Sequence, residues 1–317
     1  MNIIRIVKNN LYYILHPIGY FQSHRFLGHL SHVVHKIVPF TWLDDKLWLE
    51  YYYFRKLGDR LNLKDPINFN EKMQWMKLYD RNPLYTRLAD KYACRDYVKE
   101  KLGERYLKPL LGVFDNPDDI NWTDLPNKFV VKVTHGSGWN IICTNKEKFD
   151  VEDTKKTLQK WLEKNYYQKK REWHYRNIKP KILVEQYLDG KDDYGLIEYR
   201  FYCFNGTIEF IQVNIDFNRN RRGLYLNKTW ERIPWKYSNY PYPKNEAIIP
   251  KPINLEEIMT DVEKLAMGLP FMRIDLHIFD DQVFISEMTL MPGAGYKKFD
   301  PLEYNFIIGN LITLNRY

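Results

Sequence analysis

Met272-Arg-Ile-Asp275-Leu-His-Ile-Phe279 and, after Asp280-Asp281-Gln282, Val283-Phe-Ile-Ser-Glu287-Met-Thr289 decide the fold of this chain. In the first run Arg273, Asp275 and His277 alternate with Ile274, Leu276 and Ile278, so a strand carries polar residues on one face and aliphatic ones on the other. Val283 to Met288 reads as the returning strand. With a three-residue loop, Asp280-Asp281-Gln282, Asp275 faces Glu287 and Arg273 faces Thr289. A two-residue turn throws the two carboxylates onto opposite faces. Carboxylates held side by side repel unless a cation lies between them, and Mg²⁺ takes carboxylate oxygens together with phosphate oxygens. Arg273, beside the pair, can hold a carboxylate or a developing negative charge.

Upstream, Phe129-Val-Val-Lys132-Val reads as a short strand that ends in His135-Gly136-Ser137-Gly138, and Ile141-Ile142-Cys143 resumes as a strand. Glycines let backbone amides approach an anion closely, and Lys132 supplies charge just before them. Asp153 to Tyr166 is expected as a helix with Leu158, Trp161 and Leu162 on its apolar stripe. Lys181-Ile-Leu-Val-Glu185 is another strand, running into Gln186-Tyr187-Leu188-Asp189-Gly190. Together these give a small α/β lobe with a flexible glycine flap. From Tyr199 to about residue 290 strands such as Arg200–Phe204 and Glu209–Val213 alternate with turns such as Asn205-Gly206. Asn70 to Leu102 reads as a helical stretch in which Lys91 and Arg95, four apart, share a face. Residues 1–65 read as a helical accessory region, with Ile3, Ile4, Val7, Leu11 and Leu15 at helical spacing and His16, His24, His29, His32 and His35 among them.

Two common nucleotide signatures are excluded. Gly190 and Gly195 have the spacing of a phosphate loop, but Leu196 stands where its lysine must follow. Gly136 and Gly138 lack the third glycine of a dinucleotide fingerprint, and their loop enters a strand rather than a helix.

The 317 residues, 44% hydrophobic and 16% aromatic, carry too much apolar material for a solvated random chain and enough for a multi-lobed enzyme. Three cysteines without short spacing suit neither a disulfide framework nor a zinc knuckle, which favours a reducing cytoplasm. Asn9 to His24, the longest uncharged stretch near the start, is too polar to span a bilayer. The net charge of +8 favours anionic partners, and no nucleic-acid motif accompanies it. Basic and aromatic residues in the first 65 suit an anionic membrane surface at the inner face, or simply a helical layer packed on the enzyme.

The order of these pieces resembles the ATP-grasp superfamily from about Asp90 to Gly295, and within it the TupA-like family of teichuronopeptide biosynthesis. The resembling residues are Asn70-Glu71-Lys72, Asp90-Lys91 with Arg95, His135-Gly-Ser-Gly-Trp139-Asn140, Trp173-His174-Tyr175, Ile178-Lys-Pro180-Lys-Ile-Leu-Val-Glu185, Phe204-Asn-Gly206 and Met288-Thr289 with Pro292-Gly-Ala-Gly295. The resemblance implies an α/β (α+β) ATP-grasp fold with a mobile glycine-loop lid and an N-terminal helical extension. Its parts would be residues 1–65, a pre-ATP-grasp region at 66–127, a lid lobe with the adenine hinge at 128–190, and a metal-bearing lobe at 191–317.

It further implies ATP and Mg²⁺ as cofactors, with Arg95 and Lys132 on the phosphates and Gly136, Ser137 and Gly138 closing over them. Glu185, Gln186, Tyr187 and Leu188 would form the adenine hinge, Asp192 would take the ribose, and Arg200 would add a phosphate contact. Asp275 and Glu287 would hold Mg²⁺ with Thr289, whose hydroxyl can ligate the ion and which stands where many ligases of this fold have asparagine, and Arg273 and Lys132 would be the catalytic residues that stabilise developing charge. Trp173, His174, Tyr175, Gly295, Tyr296 and Lys297 are the acceptor-site candidates. The implied activity is an ADP-forming carboxylate:amine ligase, joining an acidic sugar or amino acid to an amine in surface-polysaccharide biosynthesis. A small-molecule kinase on the same fold, a glycosyltransferase and a non-catalytic assembly protein are the alternatives.

Overall fold

The computed structural model describes residues 44–190, 196–215, 222–237 and 251–314. It opens with four helices, Asp45–Leu57 (α1), Phe69–Tyr79 (α2), Leu84–Ala89 (α3) and Ala93–Leu102 (α4). Asn68 and Glu71 cap α2 reciprocally, each side chain accepting from the other's backbone N–H. The single stretch expected from Asn70 to Leu102 is therefore three helices. Pro83 cannot continue the α2 ladder, and Asp80 takes the Tyr85 hydroxyl at 2.6 Å to close the corner. The apolar periodicity and five histidines noted before residue 44 lie outside the described residues.

Leu110–Phe114 (β1), Phe129–Val133 (β2), Asn140–Cys143 (β3) and, beyond helices Val151–Leu162 (α5) and Tyr167–Lys170 (α6), Ile182–Gln186 (β4) form one antiparallel sheet in the order β1-β4-β2-β3. The period of two is visible in β2, where Phe129, Val131 and Val133 are buried against Leu158 of α5 while Val130 and Lys132 face away. The helix expected from Asp153 to Tyr166 begins earlier, where Asp150 caps it, and ends at Leu162.

The larger sheet takes Glu198–Phe204 (β5), Thr207–Ile215 (β6) and Arg222–Leu226 (β7). Helix Leu255–Ala266 (α7) packs on it, Phe271–Phe279 (β8) and Gln282–Thr289 (β9) complete it, and Tyr304–Asn310 (α8) follows. The strand order is β7-β6-β5-β8-β9, so β5 and β8 are central and almost wholly buried. Phe69 of α2 inserts among Phe204, Tyr237, Phe271 and Phe299 at ring distances of 5.3 to 6.4 Å. Helix α1 buries Trp48, Leu49 and Tyr53 against Ala294 and Tyr296. Among the described residues no helix is long and apolar enough to cross a membrane.

The β8–β9 hairpin forms with a shorter turn than expected. Asp280 and Asp281 alone connect the strands, at φ of 49° and 59°, and Phe279 pairs with Gln282. Counted from that turn, Asp275 would oppose Ser286. A β-bulge restores the other register: Leu276 pairs with Ile285 and Asp275 with Glu287, leaving Ser286 as the extra residue. The three-residue loop is corrected, while the cross-strand pairs Asp275–Glu287 and Arg273–Thr289 are as expected.

Candidate nucleotide and metal site

The smaller sheet and its glycine flap lie over the larger one, and a cleft of about 370 Å³ runs between them. Its upper wall is cationic. Lys132, the residue of β2 that alternation turns away from the lobe's core, holds Glu185 at 2.6 Å. Arg95 of α4 approaches the same carboxylate at 3.9 Å and donates to the Lys108 carbonyl at 2.8 Å. Burial pushes the Glu185 carboxyl up, but Lys132, Lys108 and Arg95 outweigh it and hold the group below its ordinary range. Lys91 donates to the Gly136 carbonyl, which ties the turn before α4 to the flap. Lys108 donates to the Ser286 hydroxyl at 3.1 Å, so the bulged residue of β9 has a partner in the segment that Leu107 bridges to Ile285. Burial, with Lys132 close by, lowers Lys108 to about 7, and burial lowers Lys91 as well. A phosphate beside these lysines would favour their charged forms.

The lower wall is a chain of buried polar side chains on β5, β6, β8 and β9. Arg273 grips Asp275 with two bonds, 2.6 and 2.7 Å, and donates to the Thr289 hydroxyl at 2.9 Å. Arg200 reaches Asp275 at 3.3 Å and Glu198 at 2.7 Å. Asn214 then donates to Glu198 at 2.8 Å, and Gln212 donates to Asn214 at 2.8 Å. Burial pushes the Asp275 carboxyl upward, opposed by Arg273 and Arg200. Glu287 is more open, its side chain 30% exposed and 3.8 Å from Arg273. His277 faces the cleft with its Nδ1 unbonded, and burial together with Lys108 holds it neutral.

Among the described residues, no three His, Cys, Asp or Glu side chains converge to hold a metal unaided. The pair Asp275 and Glu287, with Thr289 beside it, fits the sparser donor set that Mg²⁺ completes with phosphate oxygens and water.

A third group lies beside the cleft. Asn70, Gln74 and Lys77, on one stripe of α2, clamp the turn Pro292–Gly295. Lys77 donates to the Ala294 carbonyl at 2.7 Å, Gln74 to Gly295 at 3.0 Å and Asn70 to Gly295 at 2.8 Å. Gly293, Ala294 and Gly295 all take positive φ, and a Cβ on Gly295 would come within 2.5 Å of Met73. That contact explains the glycine there.

The structure brings Lys132, Ser137, Gly138, Glu185, Gln186, Tyr187, Leu188, Arg200, Arg273, Glu287 and Lys297 to one cleft. Asp275 lies beneath Arg273, Arg95 behind Glu185, and Gly136 accepts from Lys91. Trp173, His174 and Tyr175 belong to a short 3₁₀ turn outside the cleft lining, and Gly295 and Tyr296 sit with the α2 clamp. Asp192 is outside the described residues. Lys108, Glu198, His277 and Ser286 were not expected at the site. His277 had a signal, its alternation with Asp275, whereas Lys108 sits in an aperiodic connection that gives none.

Among solved structures, the chain is similar to D-alanine–D-alanine ligase from Bacillus anthracis complexed with ATP. The match is 14% identical over 71% of this chain and 63% of that one, with a TM-score of 0.39. It is also similar to L-amino acid ligase from Bacillus licheniformis, 12% identical over 82% of this chain and 56% of that one, with a TM-score of 0.41. A third is the ATP-grasp ligase PsnB complexed with a phosphomimetic variant of minimal precursor, Mg and ADP, at 10% identity, 76% and 63% coverage and a TM-score of 0.40. The chain thus spans less than two thirds of the length of each. No curated protein matches it. The family model described as TupA-like ATPgrasp matches residues 71–313, and the chain therefore belongs to the TupA-like ATP-grasp family.

Proposed function

We propose that this protein is an ATP-dependent carboxylate:amine ligase, which passes the γ-phosphate to a carboxylate and lets an amine attack the acyl-phosphate. One observation carries the proposal. Lys91, Lys108 and Lys132 line one cleft together with Glu287 and with Arg273, which grips Asp275 beneath it. Lysine ammoniums and the amides of Ser137 and Gly138 suit phosphate oxygens, and the apolar lining from Val130, Ile142 and Leu188 suits a purine ring. Asp275, Glu287 and Thr289 would hold Mg²⁺, which when bound neutralises charge on the phosphates. Arg273, fixed by Asp275 and Thr289, aims its charge at the oxygens of a reacting acyl group. Lys132 pairs with Glu185 until a phosphate competes for it.

The acid is a uronic acid or amino acid of a surface polysaccharide or its precursor, a reading supported by the family resemblance and in keeping with the net charge of +8. Contact with an anionic membrane surface through residues 1–65 belongs to the same proposal and rests on sequence alone.

The test traps the acyl-phosphate. Incubating the protein with Mg·ATP, hydroxylamine and a panel of uronic and amino acids should give ADP, free phosphate and a hydroxamate with the right acid. Arg273→Ala should lower that yield by about 10²-fold or more, the scale for losing one group aimed at developing charge. ADP formed with a carboxylate-free sugar that keeps the phosphate would establish a kinase instead.

A further inference from the structure

We propose that Asn70, Gln74 and Lys77 of α2 are positioning residues for the acid substrate: by holding the turn at residues 292–297 from beneath, they aim the Gly293 amide and the Lys297 side chain at the place in the cleft where the acid's carboxylate sits. The assignment rests on the ligase reading above and goes beyond it by giving a helix outside the cleft a part in substrate placement.

The three residues are 1% exposed or less and, at i, i+4 and i+7, form one polar stripe on a helix that also buries Phe69, Met73 and Met76. Asn70 donates to the Gly295 carbonyl at 2.8 Å and to that of Lys297 at 2.9 Å. Gln74 donates to Ala294 at 3.2 Å and to Gly295 at 3.0 Å, and Lys77 donates to Ala294 at 2.7 Å. Tyr237 completes the set, its hydroxyl donating to the Pro292 carbonyl at 3.0 Å. The carbonyls of Pro292, Ala294, Gly295 and Lys297 are thus all held by buried side chains.

In a planar trans peptide the N–H points opposite to the carbonyl, so tying down the Pro292 carbonyl turns the Gly293 N–H away from Tyr237. Gly293 lines the cleft, and its N–H forms no hydrogen bond among the described residues. The Lys297 stem crosses the same residue: a Cβ on Gly293 would come within 2.6 to 2.9 Å of Lys297 Cγ, Cδ and Cε. Lys297 shares the cleft lining with Gly293, Arg273 and Glu287. An amide and an ammonium are donors, which suit a carboxylate and not an amine.

Fastening the turn does not by itself account for Lys77. No carboxylate lies within salt-bridge distance of it among the described residues; besides Ala294 it donates to Gln74 at 2.9 Å and lies 4.3 Å from the Tyr296 ring centroid. A buried ammonium without a counter-ion is costly, and Gln74 shows that a neutral amide reaches the same carbonyl. The rest of α2 is braced for the task. Glu71 closes the helix cap, and Lys72 donates to the Gly309 and Ile312 carbonyls at 2.9 and 2.8 Å, which locks α2 to the end of α8. The run Asn70-Glu71-Lys72 therefore has one purpose, a rigid helix that carries the clamp.

The test follows hydroxamate formation with the acid that wild type accepts, over a range of acid and ATP concentrations. Lys77→Met keeps the stem and removes the charge, while Gln74 still holds the Ala294 carbonyl. Its kcat/KM for the acid should fall by about 10²-fold, the scale for a misplaced reactant, with the KM for ATP within about threefold of wild type. Its melting temperature should stay within about 5 °C of wild type, because losing an uncompensated buried charge offsets losing its bonds. Asn70→Ala, which releases the Gly295 and Lys297 carbonyls, should give the same split between acid and ATP. Wild-type kinetics per folded molecule in either variant, or acid and ATP parameters that worsen together, overturn the proposal. A wild-type protein that forms no hydroxamate with any uronic or amino acid sinks the ligase reading, and this assignment with it.

Discussion

Asp275 and Glu287 face each other across β8 and β9, yet removing each should have a different result. Asp275 is 1% exposed and neutralises Arg273 and Arg200 together. Asp275→Asn leaves two buried guanidiniums under-compensated, and breaking such a group costs about 3–5 kcal/mol. Turnover and stability should fall together. The Glu287 side chain is 30% exposed, so Glu287→Gln should leave stability within about 0.5 kcal/mol while turnover falls severely. Denaturant melts alongside ADP release measure both. Matching melts for the two variants, or near-normal turnover of Glu287→Gln, would refute the assignment. The face that Arg273, Asp275 and His277 share was legible because alternation is a one-dimensional signal. Lys108 was not, since it gains its meaning from burial beside residues distant in the chain.

The β8–β9 hairpin shows how an element can reach an expected register by another route. In place of a three-residue loop, the chain accepts Asp280 and Asp281 as two left-handed turn residues and adds Ser286 as a bulge. Both routes put Glu287 opposite Asp275. Deleting Ser286 should therefore produce a regular ladder with that pair preserved and Ile285 still facing the core, at the loss of the Lys108 partner. Mg²⁺-dependent ATP turnover of the deletion variant should stay within about tenfold of wild type, a loss of about 1 kcal/mol on the scale of one hydrogen bond. Abolished turnover in a folded variant would mean that the bulge itself, rather than the register, shapes the site. Other elements were less readable. Leu110–Phe114 adds an edge strand to the lid sheet, and its Gly112 and short length gave no strand signal. The breaks inside Asn70–Leu102 come from corner hydrogen bonds that periodicity does not report.

For the molecule as a whole, buried groups near neutrality couple folding and binding to protons. Burial lowers Lys77 and Lys108 to about 7, so between there and the ordinary lysine value the unfolded chain binds protons that the native one does not; these two groups make stability rise with pH across that window. Glu172, raised to about 7, acts with the opposite sign below it: the native state holds a proton that the unfolded chain releases, so its contribution declines as pH rises from the ordinary glutamate range. Only Lys108 of these three lines the nucleotide cleft, where Lys91 is lowered by burial as well. Polyphosphate placed beside these two lysines favours their charged forms. Binding of Mg·ATP at about pH 8, above the Lys108 value and where the nucleotide itself is fully ionised, should therefore draw protons from solution. Titration calorimetry in buffers of different ionisation enthalpy measures that uptake directly. Lys108→Met should reduce it, and Lys77→Met, a change outside the cleft, should not. Zero or negative uptake by the wild-type protein would show that the phosphates are bound without these two lysines.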